Sequence, residues 1–172
     1  MSEHDGARHL VVMGVSGSGK TTIAVDLAKE LGYVFAEGDE FHSDANRAKM
    51  SSGVPLDDDD RAPWLAAIRD WMTQQAREGQ STVLTCSALR HRYRDVLRAA
   101  EGRTIFVHMA PPADVTTGRI GSRKGHYMPP SLLQSQIDTL EELGPDEEGI
   151  AIRSTGTPEE VLTEVLDRLP SM

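Results

Sequence analysis

The stretch Gly14-Val15-Ser16-Gly17-Ser18-Gly19-Lys20-Thr21 satisfies GxxxxGK(S/T) and directly follows the apolar run Leu10-Val11-Val12-Met13. A strand, a glycine loop and a helix are therefore predicted in that order. Three glycines and two serines leave the loop little side-chain bulk, so its backbone N–H groups can turn inward as an anion-binding nest. A helix growing from Thr21 through Leu31 places its positive N-terminus beneath the same anion. Lys20 can then reach β- and γ-phosphates and the Thr21 hydroxyl can ligate Mg2+. The stretch reads as a nucleoside triphosphate site.

With 172 residues, 38% of them hydrophobic, the chain is read as one domain spanning 1–172 with a core of its own. Its single cysteine, Cys86, excludes an internal disulfide framework, and no CxxC or Cys/His cluster offers a structural metal site. Residues before His9 are polar, with residues 1–8 expected to be disordered, and no apolar run approaches the length of a membrane span. These features predict a soluble cytoplasmic protein. A formal charge of −9 disfavours nonspecific binding to nucleic acid or to an anionic membrane, while cations gather at Arg90 to Arg103 and Arg119 to Lys124.

Beyond the loop, Ile23, Leu27, Ala28 and Leu31 keep a helical period that Gly32 closes. Tyr33 to Ala36 is a short buried strand ending in Glu37-Gly38-Asp39. Carboxylates at that end of a parallel strand sit where open α/β sheets bind ligands. Asp39 could orient and deprotonate an acceptor hydroxyl, and Glu37 could act on the Mg2+ shell through water; a solvated turn would look the same in isolation. Asp60 before Ala62-Pro63-Trp64 resembles a helix cap for Pro63 to Glu78. Arg61 is placed to contact a carboxylate or phosphate with two prongs. Ser81 to Thr85 is the third strand, delivering Ser87 and Arg90 as candidate substrate contacts, with Cys86 a small buried hydrophobe. A helix over Arg92 to Ala100 and a strand over Thr104 to His108 follow. After a helical turn or two from Pro111 to Ile120, Arg119, Arg123 and Lys124 precede the irregular Gly125 to Pro130, which suits a mobile lid at about 119–130. A helix over Ser131 to Leu143, a strand over Ile150 to Ile152 and a helix over Pro158 to Leu169 complete a three-layer parallel α/β domain.

The residues then reach a specific resemblance. Gly38-Asp39, His42, Asn46, Lys49-Met50, Gly53, Pro55-Leu56, Asp58, Asp60-Arg61 and Pro63-Trp64-Leu65, followed by Cys86 to Leu89, Tyr93-Arg94 and Leu97-Arg98, match the pattern of the bacterial-type gluconokinases. Arg119, Arg123, Gly125-His126, Met128-Pro129, Leu132-Leu133, Ser135-Gln136 and Thr139-Leu140-Glu141 extend the match. Two positions depart from it: Tyr127 stands for a common Phe, and Glu142 for a common proline. The resemblance implies a P-loop kinase fold like that of shikimate and nucleoside monophosphate kinases, a parallel sheet of order 2-3-1-4-5, ATP with Mg2+, and phosphorylation of D-gluconate at its 6-hydroxyl. A homodimer is also implied.

On this reading Gly14 to Thr22 hold the nucleotide together with Arg119, and Thr21 and Glu37 serve the metal. Lys20, Asp39, Arg119 and Arg123 carry the catalysis by positioning and charge neutralisation. Asp39, His42, Arg47, Arg61, Ser87, Arg90 and His126 are the candidate sugar-acid contacts. A related kinase for shikimate or a nucleoside monophosphate is the competing enzyme; a nucleotide-dependent switch is the other class, and a GTPase is disfavoured because no NKxD motif is present.

Overall fold

A computed structural model of the chain describes residues 7–15, 19–54, 56–110, 136–153 and 156–169. Five strands, β1 (Arg8–Met13), β2 (Val34–Glu37), β3 (Thr82–Thr85), β4 (Arg103–Met109) and β5 (Gly149–Ile152), form one parallel sheet of order β2-β3-β1-β4-β5. Between them run α1 (Lys20–Leu31), α2 (Asp44–Ser51), α3 (Asp58–Arg77) and α4 (His91–Arg98), with α5 (Pro158–Arg168) closing the chain.

Central β1 is buried on both faces, as a near-continuous apolar run requires. Its side chains alternate between two cores because successive residues of a strand point to opposite faces. Leu10 and Val12 join Ile23, Leu27, Val161 and Val165 beneath α1 and α5. Val11 and Met13 join Trp64, Leu65, Ile68, Met72 and Leu97 beneath α3 and α4. Order begins earlier than predicted: Ala7 and Arg8 are buried, and Arg8 Nε donates to the Tyr33 hydroxyl at 2.8 Å. Among the described residues no helix is long and apolar enough to cross a membrane.

The expected strands are all present, each within two residues of its predicted ends. Gly32 ends α1 in the left-handed region at φ 71°, as its position predicts. Three element boundaries differ. The helix predicted from Pro63 begins at Asp58, and its N-cap is Asp57 rather than Asp60: the Asp57 carboxylate accepts from Asp60 N while Asp60 accepts from Asp57 N. Residues 44–51, unassigned in sequence, form α2, whose cap Ser43 accepts from Asn46 N at 3.2 Å. The helix predicted to reach Leu143 ends at residue 139. There Glu141 is drawn to the start of α4, its N–H donating to Leu89 O at 2.6 Å and its carboxylate accepting from His91 N at 2.8 Å. Tertiary partners thus replace helical ones.

Candidate active site

All five strands point their C-terminal ends at one edge, where an open α/β sheet binds its ligands. The glycine loop leaves β1 there. Gly14 at φ 142° turns the chain away from the strand, and Gly19 caps α1 at φ 94°, a region that a side chain would resist. Lys20 opens α1 and arches back, its Nζ donating to Gly14 O at 2.8 Å and Val15 O at 3.1 Å. The ammonium is thereby held at the mouth of the loop. Thr21 and Thr22 follow on the exposed first turn. Ser16, Gly17 and Ser18 lie outside the described residues, as do Arg119, Arg123, His126 and the predicted lid.

On the far side of β3, β2 ends in an acidic corner. Gly38 opens a 3-10 turn, Gly38–Phe41, that carries Asp39 exposed at the sheet edge. The turn is held tightly. Gly38 N donates to Thr85 Oγ1 at 3.2 Å, and the same hydroxyl donates to Glu37 Oε2 at 2.5 Å. The indole of buried Trp64 donates to Gly38 O at 2.8 Å and stacks on His42, ring centroids 4.1 Å apart. Asn46 Nδ2 bridges His42 Nδ1 at 3.3 Å and Asp60 O at 2.8 Å, so His42 is an acceptor there and is neutral. Burial lowers its pKa to about 4 against the opposing charge of Asp39. Arg47 packs along the turn from outside, donating to the carbonyls of His42, Asp39 and Glu40. These bonds brace the backbone that carries Asp39.

A cationic cluster lies where α3 meets α4. Arg61 Nη1 donates to the Tyr93 hydroxyl at 3.0 Å, and both Arg61 and Arg92 sit over the Tyr93 ring, 5.3 and 5.7 Å from its centroid. Tyr93 and Arg92 both bond Asp58, and the Tyr93 hydroxyl foremost, then Arg92, lowers the pKa of its carboxyl. Arg90 also acts electrostatically on Asp58, and its buried Nε has no hydrogen-bond partner among the described residues. Such a guanidinium is suited to an incoming carboxylate or hydroxyl.

Between loop and acidic corner stands the end of β3. Ser87 O accepts from Gly14 N at 3.4 Å, and Cys86 is fully buried, as expected of a small hydrophobe. Burial pushes its thiol up to about 12, with Asp39 and Lys20 acting on it in opposite senses. Both site charges are therefore felt at the end of β3. Among the described residues no cluster of three or more His, Cys, Asp or Glu could form a metal cage. Thr21 at the loop and Glu37 and Asp39 at the end of β2 lie on the same sheet edge with β3 between them, and a site of few protein ligands completed by phosphate oxygens and water is the kind that suits Mg2+.

An AAA domain family model matches residues 10–143. The chain is 48% identical to a gluconokinase of Gluconobacter oxydans over 171 residues, covering 96% of both chains. This chain belongs to the gluconokinase family. A gluconokinase structure from Sinorhizobium meliloti superposes with TM-score 0.80 at 40% identity, covering 95% of this chain and 91% of the other. An unliganded sugar kinase structure from Janibacter sp. superposes with TM-score 0.90 at 53% identity, over 94% and 93% of the two chains.

Within this gluconokinase scaffold, Lys20, Glu37, Asp39 and Ser87 share one sheet edge, and Arg61 and Arg90 share one cluster. Trp64, Thr85 and Tyr93, which fix those groups, drew no role from sequence. Trp64 and Tyr93 belonged to the matching motifs, but only their partners across the fold show what they hold.

Proposed function

We propose that this member of the gluconokinase family transfers the terminal phosphoryl group of ATP to the 6-hydroxyl of D-gluconate, giving 6-phospho-D-gluconate and ADP. The observation that carries this reading is the pairing, on one edge, of a phosphate loop at the end of β1 with Asp39 at the end of β2. One strand lies between them, so their separation is about two strand spacings, or ~10 Å. That leaves room for a phosphoryl group and an alcohol in line.

Phosphoryl transfer needs positioning and charge neutralisation more than covalent help. Lys20, held at the loop by the carbonyls of Gly14 and Val15, presents its ammonium charge to the β- and γ-phosphates. Asp39 accepts the proton of the 6-hydroxyl as that oxygen bonds to phosphorus and ADP leaves. Trp64 and Thr85 hold the corner from which Asp39 projects. Arg61 and Arg90 take the gluconate carboxylate and hydroxyls, with Ser87, neutral His42 and His126 as further contacts. Arg119 and Arg123 stabilise charge on the transferring group. Mg2+, held by Thr21 with Glu37 acting through water, would neutralise phosphate charge. Two copies are expected to associate as a homodimer, and the cytoplasm, which supplies ATP, is the compartment this chemistry suits.

Two measurements test the reading. ADP release should accelerate with gluconate but not with shikimate or AMP; indifference to gluconate overturns the proposal. Lys20→Ala should abolish turnover with little change in melting temperature, and near-full activity in that variant would remove Lys20 from its role.

A further inference from the structure

The loop that leaves β3 is held one carbonyl at a time. Ser87 O accepts from Gly14 N, Leu89 O from Glu141 N, and Arg90 O from the N–H groups of Tyr93 and Arg94. Ala88 stands between them with φ 42°, in the left-handed region that a side chain disfavours. Its carbonyl accepts from Arg94 Nη1 at 2.8 Å. Arg94 is completely buried. Its Nε and Nη2 bond the two oxygens of Glu147 at 2.6 and 2.9 Å, and Nη2 also donates to Glu142 O at 3.3 Å. The Glu147 carboxylate takes two further bonds, from Arg98 Nη1 at 2.8 Å and Gly144 N at 3.1 Å. Although burial pushes the other way, these donors hold its pKa at about 2.

A buried ion pair of this kind is poor value as a stability device, since well-packed apolar residues often serve as well. What apolar residues cannot supply is a donor for Ala88 O. We propose that Arg94 is a positioning residue for the acceptor: it holds the backbone of Ala88, and thereby sets where Ser87 and Arg90 meet gluconate. The inference rests on the acceptor site assigned above. Glu147 keeps the guanidinium aligned. Neither residue touches substrate.

The test is the double variant Arg94→Met with Glu147→Gln, which removes both charges together, measured beside Arg94→Lys and a control, Val165→Ala, in the core under α5. Melting temperature, kcat and the KM for each substrate are read for all of them. In the double variant the gluconate KM should rise about tenfold, the equivalent of one lost buried hydrogen bond, while the ATP KM stays within about twofold. Arg94→Lys should show the same split, because one ammonium cannot serve Glu147, Ala88 and Glu142 together; it carries the test if the double variant does not fold. Val165→Ala should melt earlier with both KM values unchanged. An unaltered gluconate KM in a folded variant, or equal rises in both KM values, overturns the positioning role while the gluconokinase reading stands. Wild-type protein that consumes no ATP in the presence of gluconate overturns both.

Discussion

At Gly38 the fold accepts a hydrogen and nothing larger. A Cβ there would stand 2.0 Å from Thr85 O, backbone of the neighbouring strand that cannot swing aside. Gly38→Ala should therefore pry β2 from β3, costing on the order of 2–4 kcal/mol in a urea melt, with turnover lost as Asp39 moves. An alanine tolerated without loss would contradict the corner as described. Trp64 acts on the same residue from the other side. Trp64→Phe keeps a ring against His42 but leaves Gly38 O without its donor, a cost of about 1–3 kcal/mol. Its signature should be a fall in kcat with the ATP KM little changed. The place of Asp39 on the loop's edge was legible because a parallel α/β sheet puts the C-terminal ends of all its strands on one side. Trp64 was not, since in sequence it is one more apolar position on a helix.

Elements were legible in proportion to how much of them is apolar. The five strands and α1 declare themselves by their apolar runs and period, with β1, β3 and β4 almost wholly buried and β2 and β5 half-buried, and Gly32 because a left-handed residue must end a helix there. Helix α2 has only Asn46 buried, so no hydrophobic period marks it. The cap of α3 was displaced by three residues for a different reason. A capping box is reciprocal, and with aspartate at both ends of Asp57 to Asp60 either one could pass for the cap. A melt separates the cap at Asp57 from an exposed aspartate beside it. Asp57→Ala should cost about 1 kcal/mol of stability, whereas Asp59→Ala, at an exposed position, should stay within about 0.5 kcal/mol in the same thermal melt. Equal effects would place the cap elsewhere. The early end at residue 139 has no local signal at all, because the partners that capture Glu141 lie some fifty positions earlier, at Leu89 and His91.

Acid should weaken the whole molecule across two overlapping pH windows. Burial lowers His42 and His108 to about 4 from an ordinary 6.5, opposed by Asp39 in one case and Glu142 in the other. Between those values the unfolded chain binds more protons than the folded one, so stability must fall as pH drops from about 6.5 to about 4. Glu147 works in a lower window: its contribution is complete above 4.5 and is lost as pH falls toward about 2. Melting temperature followed from pH 7 to pH 3 should decline throughout, and a flat stretch between 6.5 and 4 would show that the two imidazoles are not buried as described. The sealed sulfur at the end of β3 offers a gauge of that loosening. A thiol at 1% exposure with its pKa pushed up to about 12 presents almost no thiolate to an alkylating reagent while the sheet is closed. Labelling of Cys86 then proceeds only through opening events, and its rate counts how often the catalytic edge comes apart.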